Sequence, residues 1–295
     1  MIKIKVSILF LVVALSSCKK NDDNLIGNGN NDPLPNIENT SGYRMLLIGN
    51  SFFRPYAEKL NYLAIDAGLE EHNSTTVFRG GANGQPINFW NDSTTQEHAE
   101  IKSTLDMGDI EIFGMTSGHD YENPEDRIEG HRAWIEYALQ KNPNTSFFIA
   151  IPPIDFPAQW DSLAQANGYN TIEDFYGYFV NSIVHNMMVN QLRDEFPSVN
   201  IFTIPTGWAT FNLCQMYLDD LLLDEINLFG QKETSIFTDQ KGHQGDIVIE
   251  TGGLVWLNSV YNIDLSSYNY ETGFHTDLHE IAIQIMNNHD PEYKK

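Results

Sequence analysis

From residue 43 onward the chain predicts a doubly wound α/β domain, on three observations. Short apolar runs alternate with longer amphipathic segments along the whole stretch. That alternation, at this spacing, argues for a parallel sheet covered by helices on both faces. No internal repeat or second shift in composition interrupts residues 43–295, whose length suits one large domain.

The elements follow in order. "YRMLLIGN" (43–50) is an apolar run cut off by Gly-Asn-Ser, and a helical pattern occupies 54–68. "STTVFRG" (74–80) is the second strand, with a helix over 94–106. "DIEIFGMT" (109–116) is the third, with a helix over 124–141. "TSFFIAIP" (145–152) is the fourth, broken by the prolines of "IPPIDFP" and followed by a helix over 172–196. "FPSV" (196–199) ends that helix and leads into the fifth strand, "VNIFTIP" (199–205). Further helices are predicted over 207–224, 243–260 and 274–288, giving a sheet of about five strands.

The segment before this domain has a different character. Lys3 and Lys5 precede the apolar run "VSILFLVVAL", and "LSSC" closes it with small residues ahead of Cys18. This order resembles a bacterial lipoprotein signal, residues 1–17, with Cys18 as the lipidated first residue of the mature chain. An ordinary secretory signal with an incidental cysteine is the alternative. Residues 18–42 are rich in Asn, Asp, Gly and Pro and read as a flexible tether. The expected location is the bacterial cell envelope, facing periplasm or exterior, anchored to the membrane by lipid.

Loss of Lys3 and Lys5 with the signal carries the formal charge from −23 to −25. So acidic a chain repels nucleic acid, which is excluded as a partner. With Cys18 lipidated, only Cys214 remains, so no intrachain disulfide forms, and its apolar helical setting marks a core residue. No His, Cys or Asp cluster has metal-ligand spacing, so neither metal nor other cofactor is expected.

In such a sheet ligands bind at the carboxyl ends of the strands, near the point where strand order reverses. The loops at that edge are 49–53, 79–85, 116–123, 152–170 and 205–208. Ser51 follows the first strand, "RGGANG" (79–84) the second and "SGHDYEN" (117–123) the third. "TDQKGHQGD" (238–246) sets Asp239 and His243 ahead of an apolar helix. A serine, a glycine turn with free N–H groups and an Asp/His pair are the parts of an acyl-transfer site. Ser51 as a plain helix N-cap is the other reading of that residue. His131 and His185 fall inside predicted helices and are read as structural.

These residues resemble the blocks of the SGNH hydrolases, or GDSL-like esterases. The resemblance implies a flavodoxin-like three-layer α/β/α fold and a serine esterase chemistry. It makes Ser51 of "IGNSF" the nucleophile, His243 its base and Asp239 the partner of the base. The oxyanion hole would be built from Ser51, Gly81 (or Gly80) and a donor after the third strand. The family places an asparagine in that third block. This chain has Gly118-His119-Asp120, which leaves His119 or Asn123 as the donor, or a hole that runs on two backbone amides. Asp239 also stands four residues before His243 where the family has three, with Asp246 as the fallback. Asn50, Asn83, Asp120 and Trp160 are the expected substrate contacts. In the long 152–170 segment, Phe156, Trp160 and Tyr169 are placed to stack on a sugar or else to pack the loop down, and Asp155 to meet a hydroxyl. Trp208 is a further rim candidate or else a core residue.

The reading is a lipid-anchored serine esterase acting on a small-molecule or glycan ester, with O-acyl groups on carbohydrate the favoured substrate. The alternative is a surface lipoprotein that binds glycans or another ligand on the same fold without turnover. Acyl transfer to a hydroxyl other than water is a third possibility.

Overall fold

Five parallel strands form the centre of the molecule in the order β2-β1-β3-β4-β5. They are β1 (Arg44–Gly49), β2 (Asn73–Phe78), β3 (Ile112–Thr116), β4 (Ser146–Ala150) and β5 (Ile201–Ile204). This computed structural model describes residues 41–118 and 124–295, with only the backbone described for 124–127. Cys18, His119, Asp120 and Asn123 therefore lie outside the described residues.

The strands read as unbroken apolar runs because both faces of the sheet are covered. Met45, Leu46, Leu47 and Ile48 of β1 are all buried, as are Phe147 to Ala150 of β4. Alternate side chains then serve opposite layers. On one face Phe113 meets Phe147 and Trp134 of α4 (Pro124–Lys141), with ring centroids 6.0 and 6.5 Å away. On the other, Phe148 meets Phe53 and Trp256 of α9 (Asp246–Tyr261), at 6.4 and 5.2 Å. The first layer also holds α2 (Pro86–Asn91) and α3 (Gln96–Asp106), both packed against α4. The second holds α1 (Arg54–Asp66), α8 (Gly207–Leu218) and α10 (Leu278–Asn288), all packed against α9. The result is the three-layer α/β/α fold expected, in flavodoxin strand order.

Differences from the expected elements have local causes. The helix expected over 172–196 exists, but its middle, Phe179–Val189, winds as π-helix between α6 (Ile172–Tyr178) and α7 (Asn190–Glu195). The helix expected over 207–224 stops at Leu218, because Asp220 turns left-handed at φ 56°. Asp224 then accepts from the backbone N–H groups of His275 and Thr276 at 2.8 and 2.9 Å, tying the segment down. Within the long 152–170 connection sits a short helix, α5 (Trp160–Ala166). Two three-residue strands, β6 (Asn227–Phe229) and β7 (Ser235–Phe237), pair in parallel just before the Asp239 loop. Cys214 is free and buried in α8, and burial pushes its thiol pKa well up, which suits a core residue. Among the described residues no helix is long and apolar enough to cross a membrane.

Candidate active site

The order of strands places the reversal point between β1 and β3, since β2 lies on one side of β1 and β3 on the other. Ser51 sits at the end of β1, in this crevice. Its turn is shaped by Asn50, which is buried. The Asn50 carbonyl accepts from Phe53 N–H (3.1 Å) and Arg54 N–H (3.0 Å), and its side-chain Oδ1 accepts from Phe52 N–H (3.0 Å). These bonds hold the turn ahead of α1, which has no side-chain cap, so the Ser51 hydroxyl is left for another partner. That also moves Asn50 from expected substrate contact to turn-former.

The partner is His243, whose Nε2 lies 2.8 Å from Ser51 Oγ. Its Nδ1 lies 2.6 Å from Asp239 Oδ2. The other oxygen, Asp239 Oδ1, accepts from the backbone N–H groups of Lys241 (3.0 Å), Gly242 (3.1 Å) and His243 (3.2 Å). Burial acts to raise the Asp239 carboxyl pKa, but the hydrogen bonds from His243 and the loop amides outweigh it and hold it below the usual carboxylate value. At neutral pH Asp239 is therefore an anion, and its bond to Nδ1 favours the His243 tautomer with the proton there, leaving Nε2 to accept from the serine.

The four-residue spacing is explained by the loop that carries the pair. Thr238 N–H donates to the His243 carbonyl (2.8 Å) and Gly245 N–H to the Ile236 carbonyl (2.8 Å), with Phe237 bridging antiparallel to Gln244. Residues 238–243 thus close as a hairpin, which absorbs the extra residue. Asp246, at the first position of α9, pairs instead with Lys232 at 3.0 Å. The His243 ring is steadied by Phe52, stacked at 5.0 Å with 20° between planes.

The glycine turn reaches the same place. Arg79 N–H donates to the Gly49 carbonyl at 3.2 Å, pinning its start to the end of β1. A Cβ on Gly84 would lie 2.7 Å from the Gly49 oxygen and 2.8 Å from Asn50 Cα, so only glycine lets the turn lie this close. Gly81 is left-handed (φ 59°), and nothing lies within 4 Å of where its Cβ would be. Among the described residues no acceptor meets the N–H of Ser51 or of Gly81. Asn83 is exposed in this turn. Among the described residues no group of three or more His, Cys, Asp or Glu is placed to hold a metal ion.

The aromatic residues of the 152–170 segment divide. Trp160 is buried, its indole N–H donates to the carbonyls of Ile154 (3.1 Å) and Asp155 (3.3 Å), and its ring packs on Phe211 and Phe237. It anchors the loop from inside and is not offered to a ligand, contrary to the expectation. Tyr169 packs on Phe175 and Tyr178, and Trp208 lies edge-on to Tyr176 at 4.9 Å. Phe156 alone of the four is exposed, at 45%, and it holds a left-handed backbone (φ 55°) that is strained for a bulky residue. Its N–H donates to the Lys241 carbonyl at 2.9 Å, locking it to the Asp239–His243 hairpin. Beside it lies a cavity of about 500 Å³, with an apolar floor including Ile154 and Leu163 and polar rim groups Gln159 and Ser162. Lys241 reaches from this cavity to the residue after the serine, its Nζ lying 3.7 Å from Asp155 and 5.7 Å from the centre of the Phe52 ring.

The histidines read as structural are so held. His131 Nε2 is 3.0 Å from the Thr116 carbonyl at the end of β3, and His185 stacks on Tyr293 at 3.8 Å. Sequence reasoning missed Phe52, although an aromatic beside the serine was visible.

No protein-family model matches the chain, and no curated protein matches it. One solved structure that aligns with it is the periplasmic domain of a lipopolysaccharide acetyltransferase from Salmonella ser. Paratyphi A. The match has 13% identity, spans 59% of this chain and 70% of that one, and has a TM-score of 0.36, too low to bear on function.

Proposed function

We infer that this chain is a serine ester hydrolase of SGNH type, acting through an acyl-enzyme. The observation that carries the reading is the unbroken relay from Ser51 Oγ through His243 to Asp239, at 2.8 and 2.6 Å. A hydroxyl attacks an ester at neutral pH only with a base in reach, and those distances meet that need. As Oγ bonds to the carbonyl carbon, its proton passes to His243 Nε2, and Asp239 stabilises the imidazolium. The new oxyanion is received by the N–H of Ser51, at the N-terminal end of α1, and by that of Gly81 in the glycine turn. His243 then returns the proton to the departing alcohol, and water attacks the acyl-enzyme by the same route.

For substrate, an O-acyl group on a carbohydrate is favoured. The exposed Phe156 ring offers an apolar face to a sugar, and Gln159 and Ser162 offer partners to its hydroxyls. Lipidation at Cys18 would hold the enzyme at the cell envelope where such glycans lie. A purely ligand-binding protein has no use for an aligned serine, imidazole and carboxylate, which argues against that alternative.

Removal of Ser51 or His243 should each lower kcat by several orders of magnitude, and removal of both should cost little more. Near-full esterase activity in a folded Ser51→Ala variant ends this reading and leaves the binding alternative.

A further inference from the structure

We propose that Gln85 supplies the third donor of the oxyanion hole, through its side-chain amide, in place of the asparagine that the third block lacks. The assignment rests on the ester hydrolase reading above. Asp120, the residue at the corresponding sequence position, would repel an oxyanion as a carboxylate, so it does not take the asparagine's place.

Gln85 is brought to the site from both sides. Its neighbour Gly84 lies against the Gly49 carbonyl and Asn50 Cα, one residue from the nucleophile. Its own carboxamide lies over the end of β3, with Cδ and Nε2 each 3.2 Å from where a Cβ on Gly118 would sit. β1 and β3 are direct neighbours, with Ile48 opposite Met115. The side chain therefore spans the reversal point between them, the same crevice into which Ser51 projects. Gly118 is left-handed (φ 76°) and bare, so it leaves room for the amide rather than covering it.

The backbone of Gln85 is fixed and its side chain is not committed. Its N–H donates to the Ala82 carbonyl (3.0 Å), and its carbonyl accepts from Asn88 N–H (3.0 Å) and Phe89 N–H (3.2 Å) at the start of α2. Among the described residues no hydrogen bond engages the carboxamide, although the residue is half-buried. An amide held at such a place with no partner among the described residues suits the binding of an oxygen that becomes charged only during reaction. Nε2 carries two N–H donors and no charge, so it can follow the oxygen as the carbon becomes tetrahedral without binding the ground-state ester tightly.

The test compares Gln85→Met, which keeps the length and loses the donor, with Gln85→Glu, which keeps the shape and offers a carboxylate. Hydrolysis of p-nitrophenyl acetate is followed alongside inhibition by an aryl trifluoromethyl ketone, whose serine adduct places an alkoxide in the hole. Both variants should lose about 10²–10³ in kcat, with KM within about threefold of wild type. Inhibitor affinity should fall in step with kcat, and Gln85→Asn should recover part of both. A purely structural residue would not produce this pairing of kcat with inhibitor affinity at constant KM. If Met does not fold, the near-isosteric Glu variant decides alone. Loss of under threefold in kcat, or loss of kcat with inhibitor affinity unchanged, overturns the assignment. Ser51→Ala run beside them separates the two claims: if it is inactive while Gln85→Met is active, only the role of Gln85 falls. If Ser51→Ala is active, the hydrolase reading itself falls.

Discussion

Replacing Asp239 by Asn probes the relay without disturbing the hairpin that holds it. In the native loop Oδ1 accepts three backbone N–H groups and Oδ2 faces His243 Nδ1. An asparagine must choose which end carries its oxygen. Turning the NH2 toward the loop would set donors against three donors, so the oxygen stays there and the NH2 faces His243. The imidazole then has to present a lone pair at Nδ1, which puts its proton on Nε2, pointing at the serine. His243 becomes a donor where a base is needed. In serine hydrolases with this arrangement the tautomer error costs about 10⁴ in kcat, or roughly 5 kcal/mol of barrier. Folding should be nearly unchanged, because the three backbone bonds survive. Asp239→Ala loses those bonds as well, and at about 0.5–1 kcal/mol each for a half-exposed acceptor it should also lose roughly 1.5–3 kcal/mol of stability. The assay is hydrolysis of p-nitrophenyl acetate with urea unfolding of the same samples. An Asp239→Asn variant within about threefold of wild-type kcat would refute the reasoning, since the tautomer argument leaves no base.

Four further outcomes follow from other parts of the molecule. Phe156→Asn, which removes the ring but favours the same left-handed backbone, should raise KM for an acetylated oligosaccharide and leave p-nitrophenyl acetate nearly unaffected. Trp160→Ala should instead lose about 3–5 kcal/mol of stability and damage turnover of both esters alike; the reverse pattern would return Trp160 to the substrate. Burial lowers the pKa of His72 to about 4, of His185 to about 3 and of His289 to about 4. The unfolded chain takes up protons near pH 6.5 that these folded histidines refuse, so their contribution is complete above that pH and is lost as pH falls toward 4. The slope is up to about 1.4 kcal/mol per pH unit for each histidine, and His289→Gln should flatten it in urea titrations between pH 7 and 5. Mass spectrometry of the membrane fraction should find Cys18 acylated with no peptide before it, and a mature chain starting elsewhere would contradict the lipoprotein reading.

What the sequence made legible depended on how local the cause was. The five strands were readable because two covering layers require continuous apolar runs, and Met45–Ile48 could hardly be anything else. β6 and β7 were not, since three residues show no period. The overrun of α8 has a similar origin: Leu221 to Leu223 continue an apolar pattern that the left-handed Asp220 has already broken. At the site, Ser51, Asp239 and His243 were legible as chemistry but not as geometry. Spacing alone gave no reason to trust a pair four residues apart, because the hairpin that aligns it is closed by Phe237 and Gln244. Trp160 misled because an aromatic in a loop looks available until its indole N–H is seen bonded inside. Gln85 was invisible, because what gives it meaning is Gly118, brought near only by the pairing of β1 with β3.

The central claim is that the Ser51 hydroxyl is made nucleophilic by His243 and Asp239, and covalent labelling tests it most directly. The protein is treated with a fluorophosphonate probe, digested, and the adduct located by tandem mass spectrometry. The account predicts one adduct, on the peptide carrying Ser51, lost in Ser51→Ala and slowed by orders of magnitude in His243→Ala and Asp239→Asn. Absence of labelling in the folded wild-type protein, an adduct on another residue, or labelling of Ser51 at an unchanged rate without His243 would contradict it.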